Sequence, residues 1–144
     1  MRRVGLGLLG FGQVGQGIAS ALQTNAAHIA ATKQVEFSIA RVGVRDLAKP
    51  RDVSIDCLTD DLESVVDDPN VDLVLEAMGG LEPARSLALR AIAAGKPFAT
   101  ANKALVATHG PELFEAARSK GVGFRFESTV CAGTPVLAAL DRQL

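Results

Sequence analysis

Val4 to Gly15 read VGLGLLGFGQVG. The run Val4-Gly5-Leu6-Gly7-Leu8-Leu9 is short and apolar, as in a strand buried on both faces. Gly10, Gly12 and Gly15 follow, and an alanine-rich segment with the composition of a helix comes next. In a G-x-G-x-x-G pattern each glycine has its own job. Gly10 permits the tight turn, Gly12 lets a diphosphate approach the backbone, and Gly15 lets the helix pack closely on the strand. The helix start offers unpaired N–H groups and a partial positive charge to phosphate. Such a pattern is weak alone, but between a strand and a helix it reads as a dinucleotide site rather than a glycine-rich turn.

The rest of the chain alternates strands and helices. The spacing of Val14, Ile18, Ala21, Leu22 and Ile29 predicts a helix from Gln13 to Thr32 with one buried face. Val35 to Val44 (VEFSIARVGV) reads as a second strand, ending at Arg45-Asp46, and the basic, irregular stretch Leu47 to Ile55 as a loop. Asp60 or Asp61 opens a short helix that Pro69-Asn70 stops. Val71 to Ala77 is the next strand, closed by Gly79-Gly80. Glu82-Pro83 starts a helix to Ala94, with Gly95 as its stop, and Ala84, Leu87, Leu89, Ala91 and Ile92 face the sheet. Pro97 to Thr100 is a short strand. His109-Gly110-Pro111 begins a helix to about Lys120, ended by Gly121, and Val122 to Glu127 is the last strand. Thr134-Pro135 then reads as the cap and first turn of a helix still running at Leu144. This order is that of an α/β chain: a doubly wound parallel sheet in three α/β/α layers, the Rossmann arrangement. The apolar Val136, Leu137, Ala139 and Leu140 lead the reading to a fragment, with a cofactor-binding domain over 1–144 and a substrate part elsewhere.

Composition sets the outer limits. A chain of 144 residues, 48% hydrophobic and 22% charged, is of single-domain size with the make-up of a globular protein. A net charge of −1 gives no general attraction to nucleic acid or to an anionic membrane. The lack of Trp and Tyr leaves little to stack on single strands. Cys57 and Cys131 form neither a disulfide framework nor a metal-ligand pattern, and no stretch is long enough to span a bilayer. A cytoplasmic protein with no nucleic-acid or membrane partner is the expectation.

Several residues fall where ligands meet such a sheet. Arg45 and Asp46 come about 30 residues after Gly15, against about 20 in the usual fingerprint, because the first helix is long. Arg45, with Lys49 and Arg51 nearby, favours the 2′-phosphate of NADP through charge-assisted bonds, while Asp46 keeps NAD open. Solvated loop charges are the plain alternative. Ala77-Met78-Gly79-Gly80 follows a strand end, where its backbone passes beside a cofactor or simply turns into the next helix. Lys103, in Thr100-Ala101-Asn102-Lys103, ends another strand. Flanked by Ala104 and Leu105 it is a candidate to act on a carbonyl or hydroxyl, though a lone lysine is more often a surface charge. Glu127 to Pro135 is a polar loop whose carbonyls suit a small hard cation, or a plain turn. Cys131, His28 and His109 lack a partner in sequence and are not taken as catalytic.

Together, GLLGFGQVG, VRDLAKPR, DLVLEAMGG followed by EPAR, TANKALVATHG and FESTVCAGTPV resemble homoserine dehydrogenase, in its N-terminal nucleotide-binding part. Enzymes of that family interconvert L-homoserine and L-aspartate 4-semialdehyde with NAD(P)(H), on the route to threonine, methionine and isoleucine. The resemblance implies that Phe11, Gly12, Gln13 and Val14 line the pyrophosphate and that Arg45 meets the adenosine ribose or its 2′-phosphate. It makes Lys103 the lysine beside nicotinamide and substrate. It also gives Glu127, Val130, Ala132 and Thr134 as positions whose backbone oxygens hold a monovalent cation, typically sodium. Cys131 stands where small residues are usual. The acidic substrate ligands, a second catalytic lysine and most of the dimer-forming sheet belong to a region beyond these residues. The expectations are therefore cofactor binding with negligible turnover here, and a homodimer for the full-length enzyme. A freestanding nucleotide-binding or redox-sensing module, or another dehydrogenase of this fold, are the other readings.

Overall fold

The structure is a computed structural model that describes residues 1–130. Strand β1 (Arg2–Leu9) is buried from Val4 onward because both of its edges are paired, with β2 (Val35–Gly43) on one side and β4 (Leu73–Glu76) on the other. A continuous apolar run suits that central place, since both faces are covered. Strand β3 (Leu58–Thr59) joins β2, while β5 (Phe98–Thr100) and β6 (Phe124–Arg125) extend the sheet beyond β4. All pairings are parallel and the order is β3-β2-β1-β4-β5-β6. That makes it a doubly wound parallel sheet, the fold class expected from the sequence.

Adjacent residues of β1 feed opposite layers, because side chains alternate along a strand. Leu8 packs with Phe11, Ala19, Val42 and Val44 on the face of helix α1 (Gln13–Lys33). Leu9 joins the larger core on the other face. There Val65 and Val66 of α2 (Leu62–Asp67) and Leu87, Ala91 and Ile92 of α3 (Ala84–Ala93) meet Val74, Phe98 and Phe124 of the sheet. Leu105, Leu113 and Ala117 of α4 (Lys103–Lys120) complete that layer. Arg90 of α3 pairs with Glu63 and Asp67 of α2, and Arg85 of α3 with Glu112 of α4, so the helices are also tied along their solvent side.

Three local expectations need correction, and one short strand was not anticipated. The buried face of α1 is Gly15 and Ala19, with Ile18, Leu22 and Ile29 half-buried, whereas Val14 and Ala21 are exposed. At 100° per residue those two lie roughly 100° round the helix from that stripe. Helix α4 starts at Lys103, not at His109, because the Asn102 side chain caps it and Pro111 is accommodated mid-helix. The carbonyl that Pro111 leaves free belongs to Ala107, and both residues are exposed, so water can take the bond. Strand β3 is too short to show an apolar run, and is defined by the bonds from Val42 and Val44 N–H to the Cys57 and Thr59 carbonyls. The last strand shrinks to Phe124–Arg125, followed by a 3₁₀ turn at Glu127–Thr129. The helix expected from Thr134-Pro135 lies outside the described residues. Among the described residues no helix is long and apolar enough to cross a membrane.

Candidate functional site

The order of the sheet turns around between β1 and β4, and in such sheets the crevice for a ligand opens there, at the carboxyl ends of the strands. Main-chain bonds lock three loops around that point. Gly10 N–H donates to the Gly43 carbonyl at 2.8 Å, and Ala77 N–H to the Leu9 carbonyl at 2.7 Å. Gly10 has φ 95°, and a Cβ on it would stand 2.7 Å from the Ala77 oxygen, so the turn after β1 and the turn after β4 touch through a glycine. The groove between them measures about 400 Å³ and is lined by Gly10, Phe11, Gly12, Arg45, Ala77 and Met78, with Gly43, Val44, Asp46, Lys49 and Arg51.

One wall is the start of α1. Gly12 is its N-cap, so no side chain satisfies the first N–H groups, and the first turn carries no acidic residue. The first helical bond runs from Gln16 N–H to the Gly12 carbonyl, which leaves the N–H groups of Gln13, Val14 and Gly15 without an intrahelical partner. A Cβ on Gly15 would fall 2.2 Å from the Gly10 oxygen, so its side chain is excluded by packing. A Cβ on Gly12 would meet nothing within 4 Å. Its bareness is not explained by the fold, and the space in front of it is what an approaching diphosphate needs.

The opposite wall is the basic loop after β2. Arg45 is exposed and makes no ion pair among the described residues, and Lys49 is exposed too. Arg51 is turned inward, donating to the carbonyls of Lys49 and Asp46, each at 2.7 Å, and to that of Leu47 at 3.4 Å. The Asp46 carboxylate accepts the Ala48 N–H at 2.9 Å, so one of its oxygens is spent on its own turn. Arg51 shapes the loop, whereas Arg45 and Lys49 carry charge that the loop does not use.

Beyond Met78 lies a buried network that the sequence reading passed over. Glu76 is 2% exposed. One carboxylate oxygen accepts the N–H groups of Met78 and Gly79 at 2.7 and 3.2 Å, and the other accepts the Thr100 hydroxyl. Thr100 Oγ1 accepts the Asn102 N–H, Asn102 Nδ2 donates to the Gly80 carbonyl, and Asn102 Oδ1 accepts the Leu105 N–H at 3.1 Å. The Ala77-to-Gly80 turn and the start of α4 are thereby one polar unit on the same rim. The available signal was a carboxylate at the end of an otherwise apolar strand. Lys103 is the first residue of α4, beside this unit but not in the groove, and its side chain is exposed rather than desolvated by Ala104 and Leu105.

Farther along the rim, the 3₁₀ turn rests on β5 through a bond from Ser128 Oγ to the Thr100 carbonyl at 3.4 Å. Glu127 keeps one buried carboxylate oxygen, Oε2, with no donor among the described residues, while its carbonyl accepts the Val130 N–H at 3.2 Å. An orphaned anionic oxygen fits a neighbouring hard cation. Ala132 and Thr134 lie outside the described residues, as does Cys131. Burial pushes the Cys57 thiol up, which fits an inert packing role.

Residues 10–127 match the family model described as homoserine dehydrogenase, NAD binding domain. The chain belongs to that family. It is 47% identical to a homoserine dehydrogenase from Synechocystis over 143 residues, which is 98% of this chain and 33% of the relative. It is 40% identical to that of Mycobacterium tuberculosis, over 98% of this chain and 32% of the relative. The crystal structure of a homoserine dehydrogenase from Thiobacillus denitrificans superposes with a TM-score of 0.86 at 43% identity, covering 96% of this chain and 32% of that one. A hyperthermophilic archaeal homoserine dehydrogenase in complex with NADPH shares the fold, with a TM-score of 0.77 at 22% identity, covering 96% and 48%. The chain spans about a third of the length of the curated relatives it matches.

Proposed function

We propose that the groove between β1 and β4 holds a nicotinamide dinucleotide, NADP in preference to NAD, for the interconversion of L-homoserine and L-aspartate 4-semialdehyde. The single observation that carries this reading is the uncapped start of α1, tied by main-chain bonds into a groove whose far wall carries Arg45 and Lys49, neither in an ion pair among the described residues. Phe11, Gly12, Gln13 and Val14 receive the diphosphate through backbone N–H groups and the helix dipole. Arg45 bonds the 2′-phosphate, and Ala77, Met78 and Gly79 border the nicotinamide end. A nicotinamide dinucleotide held by these residues would supply the hydride chemistry. Lys103 bonds the substrate oxygen and offsets charge developing on it. Glu127, Val130, Ala132 and Thr134 are the oxygen donors for a structural monovalent cation, sodium by its preference for hard oxygen ligands.

In this reading a substrate-binding and dimer-forming part completes the active site in a cytoplasmic homodimer, and residues 1–144 by themselves bind cofactor with negligible turnover. Titration with NADPH and with NADH tests the cofactor assignment. Arg45→Ala is expected to weaken NADPH about tenfold, the loss of one charge-assisted bond, and to leave NADH within about twofold. Equal loss of both cofactors contradicts the assignment of Arg45 to the 2′-phosphate.

A further inference from the structure

Gln16 lies one turn into α1, half-buried, and no part of the cofactor reading uses it. Its side-chain oxygen accepts two backbone N–H groups from a distant part of the chain, Asp52 at 2.7 Å and Val53 at 3.0 Å. Two donors converging on one atom identify it as the oxygen and fix how the amide is turned. The amide nitrogen consequently faces the carbonyls of Phe11 and Gly12, each at 3.5 Å, long for hydrogen bonds but with acceptors in front of it. One side chain therefore bridges the glycine turn and the end of the basic loop.

The loop it anchors is already stiff inside. Arg51 gathers the carbonyls of Asp46, Leu47 and Lys49, and Asp46 closes its own turn onto Ala48. Residues 46–51 are thus cross-tied by their own hydrogen bonds, and Val53 is packed against the apolar layer that contains Phe11 and Val44. Among the described residues, the side-chain hydrogen bonds between this loop and α1 are the two at Gln16. Lose them, and Lys49 keeps its charge but loses the side-chain tie between its loop and the glycine turn, while Arg45 follows directly on backbone that the Gly43 and Val44 bonds hold. A 2′-phosphate and a diphosphate are parts of one ligand, so the spacing between their two sites matters as much as the charge at either.

We infer that Gln16 is a positioning residue for cofactor choice: it couples the diphosphate turn to the basic loop and so sets the preference for the 2′-phosphorylated dinucleotide. The inference rests on the cofactor reading above and adds the residue through which the two walls of the groove act together. Gln16 is not among the residues that line the groove, so its effect is through the loop it holds.

The test is a titration of the parent chain and of Gln16→Met with NADPH and NADH, followed by the fluorescence of the reduced nicotinamide. Methionine keeps the length and the apolar stem and removes the acceptor. NADPH is expected to weaken about tenfold while NADH stays within about twofold, so that the preference falls fivefold or more. Amide exchange at Asp52 and Val53 is expected to speed up in the same variant. Gln16→Ala, with the stem removed as well, is expected to show the same fall in preference. A parent that prefers NADPH together with variants whose preference is unchanged, or which lose both cofactors equally, overturns the inference and leaves the cofactor reading standing. A parent that binds the two equally also overturns it, and one that binds neither removes the cofactor reading as well.

Discussion

Gly12 and Gly15 have the same side chain for opposite reasons. At Gly15 a methyl group would run into the Gly10 carbonyl, so the fold itself forbids it, whereas at Gly12 the space is open. Chemistry likewise separates the buried carboxylates. Glu76 spends both oxygens on the rim of the groove, while Asp68, 9% exposed, is purely structural. Asp68 Oδ1 accepts from the Asn70 backbone and side chain at 2.9 and 3.0 Å, and Oδ2 from Arg41 Nε at 2.8 Å. The Asn70 N–H first, then the Arg41 guanidinium, hold its carboxyl below the usual carboxylate range. A carboxyl whose pKa is lower folded than unfolded stabilises the fold above about pH 4 and loses that contribution as the pH falls through its folded value. Asp68→Asn is therefore expected to be less stable at pH 7 by about 1 kcal/mol in urea unfolding, with the gap to the parent closing below about pH 4. A gap that does not change with pH contradicts this assignment.

Among helices and strands, α4 is where local sequence was most misleading. Gly110-Pro111 resembles a helix start, yet the start is made by Asn102, whose side chain accepts the Leu105 N–H and whose amide also reaches Gly80. Asn102→Ala is expected to lower stability by about 1–2 kcal/mol in chemical denaturation, the usual loss of a helix cap. Amide exchange at Leu105 should rise with it, and an unchanged midpoint would show that the cap is not needed. The contrast with β1 is instructive. Strand β1, the glycine turn and α1 were legible because every signal lies within a few residues: an apolar run, glycines at fixed offsets, then helical composition. Strand β3 was not, because two residues become a strand through what β2 offers them. For the same reason the Glu76–Thr100–Asn102 unit left only the carboxylate of Glu76 as a signal, and the Gln16 tie left none. Their partners meet only when β4 stands beside β5, or when the basic loop folds back onto α1.

Taken together, the parallel sheet brings three loop ends to one rim, and the same winding leaves the start of α1 facing the gap between them. The architecture and the glycine wall followed from the sequence pattern. The exposed position of Lys103 followed from where α4 begins. On this account the open space before Gly12 is the seat of the diphosphate, and that can be asked of the protein directly. Calorimetric titration of NADPH into the parent chain and into Gly12→Ala, with urea unfolding of both, is the measurement. The expected result is saturable binding by the parent, weakened at least tenfold in Gly12→Ala, with stability changed by no more than about 0.5–1 kcal/mol, since nothing in the fold meets the added methyl group. NADPH binding that is absent in the parent, or equally tight in Gly12→Ala, would contradict it.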